Sequence, residues 1–440
     1  MHLLPEQIQQ SLRQNGIEQL NEMQLASMEA HRKADNIILY SATGTGKTFA
    51  YLLPLIERLQ TDCDTVQAMI IVPARELAIQ IETVFKSLHS GFKITCCYGG
   101  HSMTVERNNL QEHPAVLVGT PGRLAYHMRK GTVEGFRIPQ IIIDEFDKSL
   151  EFGFLPDIED IFRNLPKLRR RTFTSATELE EFPALCKFTD PTILNFTSKI
   201  KAVNLKIFTV TAIGNDKLDT LRKLLSSCSG ERTLVFCNHR EAVERVSELL
   251  GELQVHHARF HGGMEQYDRE VSLVKFRNGS SNILITTDLA SRGIDIPEIM
   301  NIVHYQLPVT ADVHTHRNGR TARMHASGKA FYVLSEKGYL PDFIPGKFPE
   351  AKFAENIALP ERPEWESLHI GLGKKDKVNK VDIAGFLYKQ GGLEKDEVGQ
   401  IDMFDFTAIA AVKRSKIDVL IRELKDERLK KKKIKLGIVR

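Results

Sequence analysis

Two periodicities alternate along most of the chain. From about Asn36 to Leu194 the apolar runs NIILY, AMIIV, AVLVG and QIIID are separated by stretches such as RELAIQIETVFKSL, whose apolar positions recur at helical spacing. Unbroken Ile and Val runs mark strands covered on both faces, and the helices between them are the crossovers that parallel strands require. An α/β domain is predicted there. The alternation resumes near Thr233 with TLVFC, a helix over Arg240 to Leu250, ARFHG, a helix through DREVSLVKF, then NILITT, NIVHYQL and KAFYVL. A second α/β domain of similar size is expected, with the polar stretch 196–215 as the hinge.

The pattern then changes. IPGKFPEAKFAENIALPERPEW is rich in proline and charge and reads as a linker. Beyond about Lys377 the short apolar runs KVDIAGFL, GQIDMFD, AIAAV and KIKLGIV, with helical patterns near 389–395 and 415–424, predict a small α+β fold. The expected boundaries are 1–197, 198–345, a linker over 346–372, and 373–440.

Hydrophobic residues make up 42% of the 440 positions and charged ones 26%, enough to fill several cores and too apolar a mixture for disorder. The opening MHLLPEQIQQ lacks the basic end and apolar core of a signal peptide, and no run approaches the roughly 20 apolar residues of a membrane span. A cytoplasmic protein without membrane contact is expected. The six cysteines are scattered with no C-x-x-C pair, which points to reduced thiols rather than disulfides or zinc. Net charge is only +4, yet from Gly373 to Arg440 there are 18 Lys and Arg against 11 Asp and Glu. That balance suits a polyanion, although a solvated basic face has the same composition.

SATGTGKT, Ser41 to Thr48, follows the run NIILY and opens an apolar helix, the context of a phosphate-binding loop. Gly44 and Gly46 let backbone N–H groups approach phosphate oxygens, and the helix N-terminus adds a favourable dipole. Lys47 would reach the β- and γ-phosphates and Thr48 a magnesium ion. QIIID ends in Asp144-Glu145-Phe146-Asp147, at the carboxyl end of a buried strand where open α/β sheets bind ligands. Asp144 can hold magnesium through water, and Glu145 can orient or deprotonate an attacking water. HRNGRTAR, His316 to Arg323, offers Arg320 and Arg323 as groups for the charge of phosphoryl transfer; alone, it could equally be a basic surface.

With these strings in this order, the chain resembles the DEAD-box RNA helicases over roughly residues 16 to 345. Gly16 to Gln24 resembles the segment whose glutamine reads adenine. PARELA from Pro73, Gly99-Gly100 and TPGR from Thr120 resemble the RNA-backbone motifs of the first domain, DEFD stands for DEAD, and SAT follows at Ser175. VFCN near Phe236, HGGMEQYDRE, TTDLASRGID and HRNGRTAR supply the second-domain motifs. The resemblance implies two tandem RecA-like parallel-sheet domains, the P-loop core of superfamily 2 helicases. They would clamp RNA when ATP binds between them and hydrolyse ATP with Mg2+. It implies that Gln24, Ser41, Ala42, Thr43, Gly44, Thr45, Gly46, Lys47, Thr48, Gly293 and Asp295 bind ATP. Catalysis would fall to Lys47, Asp144, Glu145, Arg320 and Arg323, with Thr48 and Asp144 toward the metal. Pro73, Arg75, Gly100, Thr120, Arg123, Gln266, Arg269 and Thr287 would line a sequence-tolerant RNA path.

The chain departs from the family pattern at Phe146 (a small residue in DEAD), Ala74 (threonine), Ala322 (glycine) and NEM before Gln24 (TPI). Upstream, Leu3 and Leu4 stand where an aromatic would stack on adenine. None of these removes a charged catalytic group. The stretch from Lys377 to Val412 resembles the RNA-binding domain of DbpA-type DEAD-box proteins, a variant of the four-stranded RNA-recognition fold. It implies large-subunit ribosomal RNA and pre-ribosomal particles as partners, and local unwinding of short duplexes during assembly. Base-stacking aromatics are not evident, so recognition through loops and basic residues such as Lys430 to Lys433 is expected. A monomer is expected. A scaffold with a decayed ATPase is opposed by the intact Lys47, Asp144, Glu145, Arg320 and Arg323; a DNA translocase is opposed by the DEAD-type motifs and the RNA module.

Overall fold

The computed structural model describes residues 4–42, 44–100, 103–178, 182–184, 190–197, 205–212, 217–291, 299–321, 327–354 and 357–439. Seven parallel strands form the first sheet, in the spatial order Ile94–Cys97, Val116–Gly119, Ala68–Ile71, Gln140–Ile143, Arg170–Ser175, Asn36–Tyr40 and Thr192–Asn195. Alternate strand residues serve opposite faces. Ile70, Val118 and Ile142 join Tyr51, Leu52 and Leu55 of the helix Lys47–Arg58 on one face, while Met69, Leu117, Ile141 and Ile143 meet Phe146, Ile158 and Ile161 on the other. Two covered faces explain why these strands read as unbroken apolar runs.

The strand order divides the loops at the carboxyl edge. Pro73 and Arg75, Gly99 and Gly100, and Thr120 and Arg123 follow three neighbouring strands, Ala68–Ile71, Ile94–Cys97 and Val116–Gly119. Ser41 to Thr48, Asp144 with Glu145, and Ser175 to Thr177 follow the next group, Asn36–Tyr40, Gln140–Ile143 and Arg170–Ser175. The expected RNA and nucleotide residues thus occupy separate halves of one edge.

The second sheet has six parallel strands, in the order Ala258–Phe260, Ile283–Thr286, Thr233–Phe236, Asn301–His304, Gly328–Leu334 and Leu205–Thr211. Its last strand corrects the expected hinge: Leu205–Thr211 pairs residue by residue with Gly328–Leu334. Lys206, Thr209 and Thr211 interrupt its apolar residues and the strand is only partly buried at the sheet edge, so it reads as a polar connector.

The third domain is a four-stranded antiparallel sheet, Val398–Met403, Ala408–Lys413, Trp365–Ile370 and Leu436–Ile438, with helices Lys380–Lys389 and Arg414–Glu423 over one face. Its first strand, Trp365–Ile370, lies inside the segment expected to be linker. KVDIAGFL is also a helix, because Asn379 and Asp382 form a reciprocal capping box and Ile383, Phe386 and Leu387 fall at helical spacing into the core. The preceding segment lies along the second domain: Thr209 exchanges backbone hydrogen bonds with Pro349 and Ala351, and Phe348 packs on Tyr332 at 5.7 Å.

The other face of the small sheet is covered. Ile409 packs on Val271 and Val274 of the helix Gln266–Arg277, and Ser367, fully buried, meets Asn278 Nδ2 at 3.0 Å and Ser280 Oγ at 2.6 Å. The second sheet and the small sheet together form one compact unit; the first sheet forms another.

Candidate active site

The phosphate loop is held by its own strand and by the segment before it. Gly44 and Gly46 take φ +78° and +88°, which favours glycine, and a Cβ at Gly46 would also displace the Gln24 amide, 2.6 Å away. Gln24 Nε2 donates to Gly46 O at 3.3 Å, and Asn21 Nδ2 donates to Thr45 O at 3.0 Å. Asn21 also caps the helix Glu22–Lys33 in a reciprocal box with Gln24. Asn21 therefore keeps both the cap and a grip on the loop in this departure from the family pattern. Sequence reasoning did not place it in the site, although N-x-x-Q before a helix is a legible signal. Thr45 Oγ1 donates to Ala42 O at 3.0 Å, and Lys47, largely buried, donates through Nζ to Ser41 O at 2.8 Å. Leu4 belongs to the core with Ile8 and Leu12.

Asp144 is the polar centre of the strand end two places along the sheet from the loop strand. Its Oδ1 accepts from Glu145 N at 3.0 Å and from the Thr174 hydroxyl, and its Oδ2 accepts from Tyr51 Oη at 3.0 Å. Tyr51 is fully buried on the phosphate-loop helix; burial, then the Asp144 charge, raise its hydroxyl well above the ordinary tyrosine range. It remains a donor. Neither Tyr51 nor Thr174 was legible in the sequence, because Tyr51 lies in an apolar helix and Thr174 in the polar run RRTFTS, where nothing marks which hydroxyl faces the site. Thr174 reaches Asp144 because the strand Arg170–Ser175 lies between the loop strand and the DEFD strand. Glu145 takes φ +51° and ψ +53°, a left-handed conformation that costs a non-glycine residue about 1–2 kcal/mol.

Phe146 accounts for DEFD. Its ring is fully buried, 4.6 Å from Phe173 and stacked on Phe182 at 5.7 Å, so the larger residue fills the underside of the sheet. Asp147 accepts from Thr177 Oγ1 at 3.4 Å, joining DEFD to SAT.

On the other half of the edge, the Arg75 guanidinium lies over Gly99, where a Cβ would be 3.3 Å from Nη2, and Gly100 takes φ +88°. Pro73 is buried just ahead of Arg75. Ala74 caps the helix Arg75–Ser87 without a side-chain bond, the local consequence of losing threonine. Thr120 precedes the helix Pro121–Arg129 without a side-chain cap bond, and Arg123 Nε donates to Glu106 at 2.6 Å.

In the second domain Gln266 opens the helix Gln266–Arg277 and donates to Glu270 at 2.8 Å; Arg269 is buried with its guanidinium 5.4 Å from the Phe260 ring centre. Thr287 Oγ1 accepts from Leu289 N at 3.4 Å. Arg317, omitted from the expected site, is fully buried against Phe236. It donates to both Asp288 oxygens at 2.5 and 3.0 Å, to Asn238 at 2.8 Å and to Gln306 O at 2.8 Å. It locks together loops that follow three strands. Arg320 is buried, with its backbone N–H donating to Arg317 O at 3.2 Å. Thr43, Gly293, Asp295, Ala322 and Arg323 lie outside the described residues.

A phosphate loop beside an acidic strand end, followed by a second parallel sheet of the same build, is the core of a P-loop helicase. Residues 21–182 match the DEAD/DEAH box helicase family, 216–325 the helicase conserved C-terminal domain, and 367–437 the DbpA RNA binding domain. The ATP-dependent RNA helicase DbpA of Escherichia coli is 30% identical over 456 aligned positions, covering 100% of this chain and 99% of that protein; its Bacillus subtilis counterpart is 28% identical over 96% and 95%. The chain belongs to the DEAD-box family of ATP-dependent RNA helicases and is of the DbpA type. The structure of S. cerevisiae Dbp5 bound to RNA and ADP BeF3 shares the fold, with a TM-score of 0.68 at 24% identity over 76% of this chain and 88% of that one. No helix among the described residues is long and apolar enough to cross a membrane.

Proposed function

We propose that this helicase parts short duplexes of large-subunit ribosomal RNA during ribosome assembly, with ATP turned over at the first-domain phosphate loop. The observation that carries the chemistry is the gathering of Lys47, Thr48, Tyr51, Asp144 and Glu145 at the carboxyl edge of the first sheet. The DbpA RNA binding domain match supports the target.

The oxygen donors fit Mg2+. Asp144 already accepts three hydrogen bonds of the roughly four a carboxylate can take, so it engages a hard cation through water. Bound there with Thr48, Mg2+ would neutralise charge on the β- and γ-phosphates. Tyr51 and Thr174 orient the Asp144 carboxylate. Glu145 orients the attacking water and takes its proton, Lys47 leaves Ser41 O for phosphate, and Arg320 and Arg323 offset the charge that develops on the γ-phosphate. Gln24 and the loop from Ser41 to Thr48, with Gly293 and Asp295, hold the nucleotide.

Arg75, Gly100, Thr120 and Arg123 grip one stretch of RNA backbone, and Gln266, Arg269 and Thr287 another. The third domain selects the RNA. Its sheet face is covered by the helix Gln266–Arg277, so recognition falls to its edges and loops. Steady-state ATPase without nucleic acid, with DNA, with bulk RNA and with ribosomal RNA tests the proposal. Strong stimulation by ribosomal RNA at concentrations where bulk RNA is ineffective is expected; equal stimulation by both would sink the ribosomal assignment.

A further inference from the structure

Glu106 is almost completely buried on the helix Met103–Gln111, where an unpaired carboxylate would be costly to keep charged. Its Oε2 accepts from Arg123 Nε at 2.6 Å and from His127 Nε2 at 2.7 Å, and its Oε1 accepts from Tyr98 N at 3.2 Å. Burial would raise this carboxyl, but the bonds from His127 and Arg123 outweigh it and hold the group below its ordinary value. Glu106 is thus a charged anchor. Cys97 offers a third potential metal donor nearby, but burial pushes its thiol up and Glu106 already carries a guanidinium. The arrangement suits an arginine rather than a metal ion.

The three partners link the segments of two expected RNA motifs. Tyr98 immediately precedes Gly99-Gly100, whereas Arg123 and His127 lie one turn apart on the helix Pro121–Arg129. An arginine fixed through Nε presents its terminal nitrogens in one direction, the geometry for a bidentate grip on phosphate. We propose that Glu106 is a positioning residue that aims Arg123 at the RNA backbone and sets it in register with the glycine turn. The inference rests on Arg123 being an RNA contact.

The test uses the full chain with Glu106→Gln, Arg123→Ala and the double variant, each assayed for the half-saturating RNA concentration and for ATP KM. Glu106→Gln keeps the shape but replaces a charged acceptor, so RNA half-saturation should rise on the order of fivefold, with ATP KM and turnover at saturating RNA within about twofold of the parent. In the Arg123→Ala background it should add nothing, because the two act as one unit. Should Glu106→Gln fold poorly, Glu106→Asp keeps the charge but is too short to span Arg123 and Tyr98, and the same weakening is expected. Additive effects in the double variant, or parental RNA affinity in both Glu106 variants while Arg123→Ala binds weakly, overturn the positioning role. Parental affinity in Arg123→Ala overturns the reading of Arg123 itself, and the inference with it.

Discussion

Glu145 and Asp144 are adjacent carboxylates with different surroundings. Three donors converge on Asp144, while Glu145 holds a left-handed backbone. That division suits one residue to a metal and the other to a water. Glu145→Gln should therefore retain affinity for ATP and RNA while turnover falls by about 10² or more, since the amide preserves size and polarity but cannot take a proton. Equilibrium binding of a fluorescent nucleotide set against steady-state phosphate release separates the two; turnover at the parental rate would remove Glu145 from the mechanism. Asp and Glu were legible as a pair because they end an apolar run. Tyr51 and Thr174 were not, because a lone hydroxyl in an apolar helix reads as core and Thr174 is one of three hydroxyls in RRTFTS.

The helix Glu22–Lys33 bears on the site at its start and on the first sheet near its end. At its start Asn21 has two tasks, accepting from Gln24 N as a cap and donating to Thr45 O in the phosphate loop. Asn21→Asp keeps the acceptor and removes the donor. Stability should stay within about 0.5 kcal/mol, whereas ATP KM should rise several-fold; an unchanged KM in thermal-shift-neutral protein would show the loop does not depend on Asn21. Near the other end His31 is buried, bonded to Ser27 and Thr172, and burial lowers it to about 4. Above about pH 7 it is neutral folded or unfolded and has no effect. Between 6.5 and about 4 the unfolded state takes up a proton that the folded state refuses, so stability falls as pH falls, by about 1.4 kcal/mol per unit. From pH 7 to 5 the loss is about 2 kcal/mol, and His31→Gln should escape it. Urea unfolding of parent and variant at both pH values checks this; parallel losses would show that other groups dominate.

At the scale of the molecule, the third domain is built into the second. Its strand Trp365–Ile370 carries Ser367 into a buried polar contact with Asn278 and Ser280, and the preceding segment lies along Thr209. The DbpA-type RNA-binding module is therefore fixed to the second domain rather than loosely tethered, and under the proposed function RNA bound by it would be presented at a set distance from Gln266 and Arg269. A chain ending at Pro363 should keep ATPase with excess generic RNA and lose its preference for ribosomal RNA. Its second domain should also melt earlier, because Val271 and Val274 lose their cover. The same half-saturating ribosomal RNA concentration in both chains would end the targeting role.

The sequence by itself determined what is written in contiguous residues. The alternation of apolar runs and helical stretches required two parallel-sheet domains, and the strings SATGTGKT, DEFD and TPGR carried their chemistry at short spacing, where local backbone geometry suffices. Tertiary structure decided the rest. Tyr51 and Thr174 meet at Asp144 only because of the order in which three strands lie, and Glu106 reaches Arg123 only because two loops leave neighbouring strands. Strand order depends on long-range packing, which local periodicity does not encode. The linker was misjudged for the same reason. Trp365–Ile370 becomes a strand through its antiparallel partners Ala408–Lys413 and Leu436–Ile438, far along the chain, and through the burial they provide.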